Sequence, residues 1–242
     1  MSKTESGLKR TRGGTRSLTL AIEGSTYEGS VALLQDSEVI AERVIRREDG
    51  SVSPIGMGEQ LMPAIAQCLE ETGVKRGEIT RIVCGAGPGS FTSLRVAGSV
   101  GKGLAAGYGV ELFAVSSLLL TVAGANPPLA PGEYLSVLDA MRSEVFAARV
   151  QLEPGGYASQ VGPATILSAD KFSEASAGDR SWRVVGPGRE IDARPHARGV
   201  AAALRSILAA GPVDLASWEP EYGRLAEAQV RWEAAHGRPL TP

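Results

Sequence analysis

Leu18 to Ile22 is an apolar run interrupted only by Thr19, followed by a polar stretch from Glu23 to Gly29 and a second run from Ser30 to Leu34 that is apolar after its serine. Runs that are continuous rather than alternating predict strands buried on both faces. A turn at Gln35–Ser37 leads into a third strand, giving a meander of three. In EQLMPAIAQCLEETG, Leu61, Ile65, Cys68 and Leu69 share one helical face, Gly73 stands as the stop, and Pro63 falls in the first turn. TRIVCG then predicts a buried strand, GAGPGS a loop, and TSLRVAGSVGKGLAAGYG a helix ended by Gly107 or Gly109. VELFAVSS is a strand running into an Ala-rich helical segment, and the whole order is that of an α/β lobe with a mixed sheet.

The second half restates this opening. YLSVLDAMRSEVFAARVQL (Tyr134 to Leu152) again has an apolar strand ending in an acid, a short polar turn and a return strand, so Asp139 stands where Glu23 stood. Beyond it, WRVVGPG reads as strand and turn, GVAAALRSILAAG as a helix ending at Gly211, and YGRLAEAQVRWEAA as a final helix. Two related lobes are expected, with a disordered basic tail at 1–16, a first lobe at 17–115, a smaller second lobe at 116–223, and a helix and tail at 224–242.

With 242 residues, 43% of them hydrophobic, the chain can bury a sizeable core, and a net charge of -2 gives no general field for nucleic acid. There is no apolar run of membrane-spanning length and no signal-peptide core, which predicts a cytoplasmic location away from membranes. Cys68 and Cys84 lack metal spacing and read as buried thiols. His196 and His236 have no second ligand three or four residues away and read as solvated. No Ser, His and Asp set supports a triad, and neither that nor a metal set supports a protease.

Two loops remain as chemistry. Gly87, Gly89 and Ser90 lie in GAGPGS between a strand and a helix, where backbone amides can cradle phosphate, although the spacing fits neither GxxxxGK[ST] nor GxGxxG. Tight turning is the alternative. Glu23, Gly24, Ser25 and Thr26 could hold a metal-bound phosphate or simply turn a hairpin. Asp139, Arg142 and Glu144 pose the same choice in the second lobe.

The helix after GAGPGS carries Ser93, Ala97, Gly101 and Ala105 on one flat face, with Gly98 and Gly103 beside it. A helical glycine costs roughly 0.8–1 kcal/mol, so something must approach closely: the lobe's own sheet, or another helix as in a dimer. On the second reading Gly101→Arg abolishes pairing while sparing the fold.

With LAIEGSTYEGSVALL, EQLMPAI, GAGPGSFTSLRVAGSVGKGLA, VSSL, VLDAMRSEVFAA and EPEYGRLAEAQ on the page, the chain resembles the TsaB (YeaZ) family over roughly Leu18 to Gln229. The resemblance implies an actin-like ATPase fold of two ribonuclease-H-like lobes and a non-catalytic subunit in the synthesis of threonylcarbamoyladenosine in tRNA. It implies a TsaD-like transferase and a TsaE-like ATPase as partners, a homodimer in isolation, and tRNA met mainly through the complex. No cofactor is required, and ATP or ADP would sit at the partner interface. The contact falls on the first helix at Glu59, Met62 and Ile65 and on the second at Leu94, Arg95, Ala97, Gly98, Gly101, Lys102 and Ala105.

The chain departs from the family's usual Asp at Glu23, its common His-Ser-Glu at Met57-Gly58-Glu59, and its usual glycine at Ser93. The first departure argues against an intact nucleotide site. The competing function is an actin-like ATPase or phosphotransferase active on its own.

Overall fold

Strand β1 (Leu18–Glu23) is buried at every position, as its apolar run requires. In the computed structural model, which describes residues 16–45, 54–177, 181–223 and 235–237, β1 is the centre of a five-stranded sheet. β2 (Gly29–Gln35) pairs with it antiparallel and β4 (Arg81–Gly85) parallel, and β3 (Glu38–Ile45) and β5 (Glu111–Val115) form the edges in the order β3-β2-β1-β4-β5. Both faces are covered, so the apolar runs are continuous.

On one face lie α1 (Pro54–Thr72) and α2 (Phe91–Tyr108), whose Leu61, Ile65, Cys68, Ala97 and Ala105 pack on Leu20, Ile22, Leu33, Ile82 and Leu112. On the other, Ala21, Ala32, Leu34 and Val83 meet α3 (Ser117–Ala123) and α5 (Val200–Ala210). A second sheet, of β6 (Gly132–Asp139), β7 (Glu144–Leu152), β8 (Ala158–Ser168) and β9 (Trp182–Val185), has the order β8-β7-β6-β9. Its pairings are antiparallel, antiparallel and parallel, repeating the first sheet less one strand. Helices α3 and α5 share a core with one face of this sheet, and α4 (Ala169–Ser176) sets Phe172 and Ala175 against the other.

The lobes and their duplication are therefore as the sequence implies, with local differences. α1 begins at Pro54 rather than Glu59, so Pro63 lies in the helix interior; it is on the exposed face, where the carbonyl it leaves unpaired can reach water. Strand β8 and helix α4 have no counterpart in the sequence expectations. Residues 212–223, assigned by sequence to the second lobe, pack instead on the first: Val213 N–H donates to Leu112 C=O at 2.8 Å, and Val213, Leu215 and Trp218 join the core beneath α2. The N-terminal tail apart from Arg16, and the expected final helix apart from 235–237, lie outside the described residues. Among the described residues no helix is long and apolar enough to cross a membrane.

Candidate functional site

The end of β1 carries Glu23 to 1% exposure beneath the turn that follows it. Its Oε1 accepts the Ser25 N–H at 2.5 Å and its Oε2 accepts the Ser117 hydroxyl at 2.9 Å. Burial raises its pKa above the ordinary glutamate value, against the bonds from Ser25, Ser117 and Gly24, which favour the ionised form. A side chain on Gly85 would collide with this carboxylate, so glycine at the end of β4 makes the room that Glu23 fills.

The loop GAGPGS closes onto the same turn. Ser90 N–H donates to Ser25 C=O at 2.7 Å, and a Cβ on Gly89 would strike that carbonyl. Gly87 N–H donates to the Ser117 hydroxyl at 3.2 Å, and Gly87 C=O accepts Ser117 N–H at 2.8 Å. From outside, Glu221 N–H donates to Ala86 C=O at 2.7 Å, and the Glu221 carbonyl lies against Gly87, whose φ is +94°. Thr26 turns away from the loop, its hydroxyl donating to Glu28 C=O at 2.7 Å.

The sequence-predicted cradle of Glu23, Gly24, Ser25, Thr26, Gly87, Gly89 and Ser90 is thus one assembly. The amides of Ser25, Gly87 and Ser90 and the Ser117 hydroxyl all find acceptors inside the protein, and the acceptor shared by the Ser25 amide and the Ser117 hydroxyl is the Glu23 carboxyl. Gly85, Gly87 and Gly89 are required by close packing, so tight turning accounts for these glycines in this conformation. Ser117 was missed as a member, although VSSL had marked its segment.

Helix α2 requires a larger correction. Ser93, Leu94, Ala97, Gly98, Gly101 and Ala105 are buried within the chain. A Cβ on Gly101 would lie 3.5 Å from Cys84 and 3.7 Å from Leu112, so the small stripe brings α2 down on its own sheet. Gly98 is roofed by Pro220 and Trp218, and Lys102 Nζ donates to Trp218 C=O at 2.9 Å. Ile65 and Leu94 are likewise in the core.

Of the residues expected at an interface, Glu59, Met62 and Arg95 face outward. The outward surface of α2 includes Ser99, Gly103, Ala106 and Gly107, and beside it α1 presents Gly58, Glu59, Met62 and Ala66. A Cβ on Gly58, Gly103 or Gly107 would have nothing within 4 Å. At the head of α2, the Arg95 guanidinium lies 4.3 Å from the Phe91 ring centre, and its Nε donates to the Tyr222 hydroxyl at 3.4 Å.

The second-lobe turn makes its own bonds. Asp139 Oδ1 accepts Met141 N–H at 2.8 Å, and Met141, Arg142 and Ser143 all have positive φ, from 55° to 63°. Asp139 and Arg142 are exposed hairpin residues, and Glu144 opens β7.

His196 is not the solvated residue expected: its Nδ1 accepts Arg198 N–H at 3.0 Å, and burial, with the nearby Arg198 charge, lowers its pKa to about 4. His236 is exposed. The Cys68 thiol is pushed up to about 11 and the Cys84 thiol also upward, both chiefly by burial. Among the described residues no three His, Cys, Asp or Glu side chains gather as a metal site.

A family model described as "TsaD: tRNA N6-adenosine threonylcarbamoyltransferase" matches residues 55–177, half the chain. The tRNA threonylcarbamoyladenosine biosynthesis protein TsaB of Bacillus subtilis is 26% identical over 230 residues, covering 88% of this chain and 96% of that protein. The solved structure of YeaZ from Pseudomonas aeruginosa superposes with a TM-score of 0.70 at 25% identity, over 85% of this chain and 99% of that one. The chain belongs to the TsaB/YeaZ family. Its two mixed sheets are the two lobes of the actin-like fold. A further TsaB relative, from Escherichia coli, is 30% identical over 137 residues, 57% of this chain and 56% of that protein. TsaB resemblance thus runs through both lobes, while the TsaD-type match begins at α1.

Proposed function

We propose that this chain is a non-catalytic subunit in threonylcarbamoyladenosine modification of the tRNA adenosine next to the anticodon, docking on a TsaD-type transferase through the outer face of α1 and α2. The names of the TsaB relatives give the process. The face is supported by Gly103 and Gly107, exposed helical glycines that no neighbour among the described residues requires, beside Met62, which is 47% exposed. Each helical glycine forgoes roughly 0.8–1 kcal/mol relative to alanine, a cost that close approach of a partner helix offsets. The same face pairs two copies in isolation, and a TsaE-type ATPase completes the complex. This chain needs no nucleotide of its own, and ATP or ADP belongs to the joint with the transferase. The complex works in the cytoplasm.

Gly103→Arg is the test. It adds bulk to open space, so the fold is expected to persist with unchanged circular dichroism, whereas co-elution with the transferase on size exclusion is lost. Gly101→Arg drives a side chain toward Cys84 and Leu112 and is expected to unfold the first lobe, so it no longer serves as an interface probe. Undiminished co-elution of a folded Gly103→Arg protein overturns the assignment of this face.

A further inference from the structure

Residues 212–223 leave the second lobe after α5 and return across the first, touching α2, the GAGPGS loop and the opposite lobe in turn. Pro220 roofs Gly98, where a Cβ would lie 2.9 Å from the proline Cγ. Glu221 bonds to Ala86 and covers Gly87, and the Tyr222 ring centre lies 4.4 Å from that of Phe91. Gly223 then sits between Phe146 of β7 and Pro88 of the loop, where a Cβ would collide with the Phe146 ring and approach Pro88 Cβ to 3.1 Å. The strap therefore meets first-lobe and second-lobe residues at one point.

Its attachment is light for what it covers. Of residues 212–223 only Pro220 is buried; Val213, Leu215 and Trp218 pack partly exposed against the first-lobe core, and the rest are half-buried or exposed. Among the described residues its backbone bonds to the body are Val213 to Leu112 and Glu221 to Ala86, supplemented by Lys102 to Trp218 and Arg95 to Tyr222. Beneath it Gly87 and Pro88 are buried, with Glu23 and Ser117 behind them. A segment with few buried apolar groups lying over a closed polar assembly belongs to the class that opens locally at less than the global unfolding free energy.

We infer that residues 212–223 form a releasable clasp that holds the two lobes together over the GAGPGS loop, and that lifting it uncovers Gly87 and Pro88. The clasp is anchored on the flank of α2 that adjoins the outward Gly103 stripe, through Gly98, Lys102 and Arg95. A displacement of α2 is thereby transmitted to the lobe joint, and the converse also holds.

Amide hydrogen exchange on the full chain tests this with added bulk at two helical positions. Gly98→Leu pushes against Pro220, whereas Ala209→Leu adds an apolar side chain at an exposed position of α5 and serves as the control. Gly98→Leu is expected to speed exchange at Gly87 and Glu221 by at least about tenfold while leaving the β1 and β4 amides unchanged. Ala209→Leu is expected to leave both sets unchanged. Tyr222→Ala, which adds no bulk, is expected to act in the same direction as Gly98→Leu and covers the case in which that variant does not fold. Equal acceleration in the strands, or unchanged exchange at Gly87 in a folded Gly98→Leu or Tyr222→Ala protein, overturns the clasp.

Discussion

Glu23 is an acid buried to 1% exposure with no cation bonded to it among the described residues; donors from Ser25 and Ser117 surround it, and burial raises its pKa. The folded state consequently holds this proton more tightly than the unfolded state. Its contribution to stability is fully present below the ordinary value of 4.5 and is lost as pH rises through the raised one. Glu23→Gln keeps an acceptor for Ser25 N–H and cannot ionise. It is expected to flatten that part of the urea-midpoint profile, and an identical slope in wild type and variant would show that the carboxyl stays ionised. The sequence marked Glu23, Gly87, Gly89 and Ser90 as candidates for one site, because both loops follow buried strands and offer groups that could cradle phosphate. It did not show that they satisfy one another, since that depends on Ser117, far along the chain, and on a carbonyl of Ser25.

At the scale of elements, apolar periodicity located β1, β2, β4 and α2 because each is covered by another layer. β8 escaped notice because most of it is exposed or half-buried and Gly162, at φ +78°, interrupts it. In α2 the small-residue stripe of Ser93, Ala97, Gly101 and Ala105 was legible, but not whether it met the chain's own sheet or another helix. Gly101 approaches Cys84 and Leu112, whereas Gly103 meets nothing, and only the sheet's position distinguishes them. The β6–β7 hairpin stores backbone strain at Met141, Arg142 and Ser143, and left-handed conformations cost an L-residue roughly 1–2 kcal/mol each. Arg142→Gly relieves one of these and loses some of the gain to glycine's greater freedom in the unfolded chain. A net stabilisation of about 0.5–1 kcal/mol is expected in the denaturant midpoint. A loss of stability would mean that the arginine side chain contributes more than its backbone costs.

For the molecule as a whole, α3 and α5 belong to both lobes. Leu119, Leu120 and Val122 join a core that takes Ala21 and Val83 from the first sheet and Val150 and Val185 from the second. Internal repetition announced two lobes but gave no sign that they share this layer, because the apolar residues of α3 look the same whichever sheet they cover. One cooperative transition is expected in calorimetry. Leu120→Ala, at a fully buried position, should lower stability by about 2–5 kcal/mol while Trp182 and Trp218 fluorescence continue to move together. Separate transitions for the two tryptophans would place the lobes in independent units.

The pairing of Glu23 with Gly85 bears on how such a chain can change over generations. The longer acid occupies the volume that a methyl group at position 85 would need, so alanine is excluded there while glutamate stands at 23. A shorter acid would lift that exclusion and leave a void, and the void would in turn favour the methyl. The two positions are bound into one heritable unit: neither can drift alone, and the order in which they change decides whether the intermediate is crowded or hollow.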